Sequence, residues 1–113
     1  MLVIFRAAGD AVHAAVAMQR CLDAYNADRP RAEHVLLGIG IGYGDLLRVD
    51  DSDVFGAEVN AAAKLGEDTA KAHEILVTAA VRDALADASA FEYDALDVVP
   101  PGARAAFRLR YTR

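Results

Sequence analysis

Apolar and polar positions along this chain keep two rhythms, one near 3.6 and one near 2 residues. Leu2-Val3-Ile4-Phe5 opens with consecutive apolar residues, and residues 1–6 read as a short buried strand. Ala11, Ala15, Met18, Leu22 and Tyr25 then recur at alternating spacings of four and three, one apolar stripe on a helix over residues 9–27. Asp10 sits near its start, where a carboxylate suits the helix dipole. Asn26 to Arg31, with Pro30, form a polar break. Residues 33–42 read as a strand and 44–50 as its hairpin partner. Gly38, Gly40 and Gly42 alternate, so one face of that strand carries no side chains and another element can come close. The spacing predicts a helix over residues 57–68, with Val59 and Ala63 on its buried face. Residues 73–78 read as a strand and 79–87 as a helix capped by Thr78. Residues 91–98 and 104–112 read as a final hairpin turning at Pro100-Pro101-Gly102. The order βαββαβαββ predicts an α+β fold, helices packed on a largely antiparallel sheet.

Composition narrows the class. At 113 residues the chain is one domain, 1–113, without internal repeats or linkers. A 55% hydrophobic content argues for a folded core, much of it alanine suited to helices lying close on a sheet. The net charge of −5, with no basic run, argues against a nucleic-acid partner. No apolar run approaches the roughly 20 residues of a membrane span, and Met1 to Phe5 is too short for a signal peptide and lacks a basic lead-in. Cys21 is the only cysteine, which fits a cytoplasmic setting; its expected role is a buried small hydrophobe on the first helix.

The chemistry concentrates in Asp53-Val-Phe-Gly56-Ala-Glu-Val-Asn60-Ala-Ala-Ala-Lys64. A carboxylate ends a strand, Gly56 turns the chain, and Asn60 and Lys64 stand four residues apart on one helix face. Carboxylate, amide and cation in that order can read a base, hold a ribose and meet a phosphate; on spacing alone, most such helix faces are simply solvated. Asp50, Asp51 and Asp53 read as a solvated turn. His13, His34 and His73 are too scattered for zinc. The glycines from 38 to 44 do not make G-x-G-x-x-G and lead into a strand, not a helix, so a dinucleotide site is rejected. Ser52 and Ser89 read as turn residues.

In register over nearly its whole length, the chain resembles the catalytic domain of the class III adenylyl and guanylyl cyclases. The resemblance is carried by Asp53, Gly56, Val59-Asn60 and Lys64. Leu37-Gly-Ile-Gly-Ile-Gly-Tyr-Gly-Asp45 precedes them, and His73-Glu-Ile-Leu-Val-Thr78 and Val81-Arg-Asp-Ala-Leu85 follow. It implies a ferredoxin-like cyclase fold lacking its first strand-helix-strand portion, because the family's two metal-binding Asp lie upstream of Met1. It assigns Asn60 to the ribose, Lys64 to the transition-state cation where arginine is usual, and Asp53 to the adenine amino group. Gly56 makes the turn of the substrate site. The family's hairpin-turn lysine has no counterpart in Pro100-Pro-Gly-Ala103, and Arg104 is the nearest substitute. The resemblance further implies conversion of ATP to cyclic AMP with Mg or Mn in the complete domain. None of those metal ions is held by this chain's own residues. The expected partner is a second copy or a complementing cyclase chain, with the isolated chain inactive. Two other readings stay open: a non-catalytic dimerisation or nucleotide-sensing remnant, and an unrelated ferredoxin-like binding module.

Overall fold

The computed structural model describes residues 2–49, 54–85 and 91–112. Its elements in chain order are α1 (Ala8–Ala27), β1 (Ile39–Ile41), β2 (Leu47–Arg48), β3 (Val54–Phe55), α2 (Ala57–Lys64), β4 (Ile75–Thr78), α3 (Ala79–Leu85), β5 (Glu92–Ala95) and β6 (Ala106–Arg110). A 3₁₀ turn over Arg31–Glu33 follows α1, and a π-helical turn over Leu65–Thr69 continues α2. The main sheet runs β1-β4-β6-β5, and β2 with β3 makes a separate two-stranded ribbon. The class is α+β, as the order of elements predicts. The sheet is mixed: β1 lies parallel to β4, and β6 lies antiparallel to both β4 and β5.

Successive strand residues face opposite sides, and the core divides accordingly. Ile41, Ile75, Val77 and Leu109 join Val12, Ala15 and Val16 of α1 and Val81 and Leu85 of α3 in one cluster. Leu76 and Ala106, facing the other way, meet Leu65 below α2. Thus α1 and α3 cover one face of the sheet and α2 the other. Thr78 caps α3 by accepting the Val81 N–H at 3.4 Å. The final hairpin forms, with Ala103 N–H donating to Pro100 O across its turn.

Several expectations are corrected. Residues 2–5 form no strand; all four are exposed and have no paired neighbour among the described residues. The strand expected over 33–42 is confined to Ile39–Ile41, and 44–50 is not its partner, since Leu47 and Arg48 pair with Phe55 and Val54. β1 instead takes β4, whose Ile75, Leu76 and Val77 complete its parallel ladder. The buried stripe of α1 is Ala8, Val12, Ala15, Val16, Gln19 and Asn26, rotated from the apolar one. Two polar side chains cause the rotation. Gln19 donates to Leu37 O at 2.8 Å, and Asn26 both donates to Val35 O and accepts from Val35 N, each at 2.9 Å. Burying these two amides on their backbone partners leaves Tyr25 and Cys21 outward. Cys21 is therefore exposed, contrary to its expected burial.

Candidate functional site

The site is organised by an absence of side chains. A Cβ on Gly40 would lie 2.2 Å from Ala62 O and 2.5 Å from Gly66 N, and one on Gly42 would lie 2.3 Å from Glu58 O. The backbone of α2 and its π turn thus rests directly on β1, as the alternating glycines foretell. Only this contact lets an eight-residue helix sit so close to the sheet. Gly56 starts the helix with φ +156°, a conformation that glycine adopts without strain. Gly102 brings the β5–β6 turn against the same end, where a Cβ would lie 2.5 Å from Ala57 O.

Seating α2 this way decides which residues face water. Ala61 and Leu65 are buried, not Val59 and Ala63 as expected; Val59 is half-buried and Ala63 exposed. Asn60 and Lys64 are both exposed, one turn apart on the outward side. Lys64 Nζ lies 3.1 Å from Asp68 Oδ2, an exposed i,i+4 pair. Such a pair contributes about 0–1 kcal/mol and leaves the cation available to a competing anion. Glu58 in the first turn and Lys64 in the last both suit the helix dipole.

Arg104 stands at the foot of β6 and is ion-paired with Asp83 of α3. The Arg104 guanidinium, then Arg82, holds the Asp83 carboxyl below its ordinary value, with burial opposing. The hairpin turn thus reaches the start of α2, while Arg104 is held toward α3. Asp53, together with Asp50, Asp51, Ser52 and Ser89, lies outside the described residues. So of the residues expected at the site, Gly56, Asn60 and Lys64 share one helix, and Arg104 belongs to the neighbouring turn.

Glu58 was not among the expected residues. Its Oε1 accepts the Thr78 hydroxyl at 2.6 Å and the Tyr43 N–H at 2.8 Å. The signal in the sequence is Gly42-Tyr43-Gly44, room for an incoming stem, but the spacing does not say whose.

No group of three or more His, Cys, Asp or Glu among the described residues could hold a metal ion. The carboxylates around this face already have partners: Glu58 has Thr78, Asp68 has Lys64 and Asp83 has Arg104. These residues do not fit a metal site. Two shallow surface depressions lie elsewhere, one beside Asn26, His34 and His73, the other beside Glu74, Arg108 and Tyr111.

The sequence model of the adenylate and guanylate cyclase catalytic domain matches residues 3–105. The chain belongs to the adenylate and guanylate cyclase catalytic domain family. The reading as an unrelated ferredoxin-like module falls with that match. This cyclase domain is 42% identical over 65 residues to "Putative adenylate cyclase 3" of Rhizobium meliloti (strain 1021), a stretch covering 58% of the chain and 11% of that protein. It superposes on the crystal structure of an adenylate/guanylate cyclase/hydrolase from Silicibacter pomeroyi with a TM-score of 0.75 and 26% identity. That match covers 93% of this chain and 63% of the other. No described helix is long and apolar enough to cross a membrane.

Proposed function

We propose that this cyclase domain supplies the ribose- and phosphate-facing side of an adenylyl cyclase site. Cyclisation needs the ribose 3′-hydroxyl in line with the α-phosphorus and a cation where charge builds. Asn60 has the donor and acceptor to hold the ribose, and Lys64 has the charge for the phosphorus. Asp53, a carboxylate, accepts but does not donate, so it favours the adenine amino group over guanine. Arg104, beside the turn that meets α2, is the nearest further cation for the triphosphate once released from Asp83. The observation that carries this reading is the pairing of Asn60 and Lys64 on one outward face of a helix seated on the glycine strand.

Mg or Mn belongs to the same proposal, held by carboxylates of a complementing cyclase chain, and no step is assigned to it on these residues. The 113 residues alone are expected to turn over no ATP. One observation favours a second reading, a nucleotide-sensing half without turnover: the residue at 64 is a point-charge lysine already engaged by Asp68.

The test mixes this chain with a cyclase chain that keeps its metal carboxylates but lacks its own ribose-holding amide and transition-state cation. With ATP and Mn, cyclic AMP should form and should vanish with Asn60→Ala. Nucleotide binding without product would select the sensing reading. Turnover indifferent to Asn60→Ala would remove α2 from the site altogether.

A further inference from the structure

An amide and a cation can serve a reacting nucleotide only if the helix bearing them is fixed in rotation and height. The seat of α2 supplies closeness but little direction. Its inner contact with β1 is backbone against glycine, and the side chains it buries, Ala61 and then Leu65 of the π turn, are apolar and make no directional bond. Its first residue has no side-chain cap. Directional bonds come from Glu58, two residues before Asn60. This half-buried carboxylate reaches from the first turn of α2 across to the ends of both parallel strands. At the end of β1 it takes the Tyr43 N–H at 2.8 Å, and at the end of β4 the hydroxyl of fully buried Thr78 at 2.6 Å. Both fall in the range of charge-assisted bonds. Thr78 spends its proton on Glu58 and a lone pair on Val81 N, so the same hydroxyl joins α2 to the start of α3. Gly44 leaves room for the stem, since a Cβ there would lie 2.9 Å from Glu58 Cγ.

We propose that Glu58 is a positioning residue, its carboxylate locking the first turn of α2 to the ends of β1 and β4 and so fixing the face that carries Asn60 and Lys64. The inference deepens the cyclase reading and rests on it. Glu58 touches no substrate in this scheme; it acts through the two residues outward of it.

The test uses the same mixture of this chain with a complementing cyclase chain, ATP and Mn, and adds amide NMR of this chain. Glu58→Ala should speed exchange of the Tyr43 amide and shift the Asn60 side-chain amide signals. It should lower kcat about ten- to a hundredfold, the scale of small misplacements, with KM within about twofold because ground-state binding changes little. Glu58→Gln, whose amide oxygen still accepts both bonds, should recover most of kcat. Glu58→Met keeps the stem without the oxygens and serves if Glu58→Ala does not fold; it should lose kcat likewise. Unchanged Tyr43 and Asn60 signals, or unchanged kcat while Asn60→Ala is dead, would overturn the positioning role and leave the cyclase reading standing. Silence of both Asn60→Ala and Lys64→Ala would overturn the cyclase reading, and the positioning role with it.

Discussion

One face of the main sheet is built in two opposite ways. Over β1 it is glycine, and the backbone of α2 lies within reach of any added methyl. Over β5 and β6 it is arginine and carboxylate, facing water. There Asp94 takes bonds from Arg110 at 2.6 and 2.9 Å and from Arg108 at 3.0 Å, while Arg108 also approaches Glu74 and Arg110 approaches Glu92. The first half stabilises by dense packing, which is short-ranged and intolerant of volume. The second consists of exposed ion pairs, which contribute little and tolerate change. The site stands on the intolerant half. The position of Asn60 and Lys64 is thus set by what cannot be added beneath them.

The comparison breaks most visibly at Gly40. Gly40→Ala places a carbon 2.2 Å from Ala62 O and 2.5 Å from Gly66 N, so helix or strand must move. The expected cost is at the upper end of the ~1–3 kcal/mol overpacking range or above it, a large share of a small domain's stability. Glu92→Ala, on the charged half with 75% of its side chain exposed, should stay within about 0.5 kcal/mol. Equal shifts of the denaturant midpoint for the two variants would erase the distinction.

The same contrast explains what the sequence told. The glycine alternation, the Asn60–Lys64 face, the Thr78 cap and the final hairpin were legible because each is local: period, spacing or turn chemistry. The failures lie where distant polar groups decide. Gln19 and Asn26 turn α1 by bonding to carbonyls at Leu37 and Val35, so the apolar stripe points partly to water. Residues 44–50 leave the expected hairpin, Leu47 and Arg48 pairing with Phe55 and Val54, while the partner of β1 is β4, more than twenty residues on. Glu58 reads as an ordinary first-turn acid until Tyr43 and Thr78 are brought to it.

A sharper version changes α2 on its outward side, where the seat is untouched. In the complemented mixture, Lys64→Arg should raise kcat about ten- to a hundredfold. Arginine can give two parallel hydrogen bonds as charge builds on the phosphoryl oxygens, where lysine gives a point charge. One charge-assisted bond is worth roughly 1.5–3 kcal/mol, which sets that range. The melting temperature should not move, because position 64 is exposed and its pair with Asp68 contributes little. A changed melting temperature with unchanged kcat would mean that residue 64 belongs to the seat and not to the site.

The smallest effect is expected on the charged half, and its pH dependence is confined to acid. Hydrogen bonds from Arg110 and then Arg108 hold the Asp94 carboxyl at about 2, below its ordinary 3.8. A carboxylate with a lowered folded-state value binds its proton more readily when unfolded. Its contribution is therefore complete above about pH 4 and fades as pH falls through about 2. Asp94→Asn should flatten the stability profile across that window: its cost, small because the pairs are exposed and screened, is present at neutral pH and vanishes as pH falls below about 2. Added salt should mimic the substitution, since water reaches both partners. Gly40→Ala should instead lower the whole profile equally at every pH, because a steric cost carries no proton. If Asp94→Asn proved as damaging at pH 7 as Gly40→Ala, the arginine half would be a packed element in its own right, and the contrast between the two halves would fail.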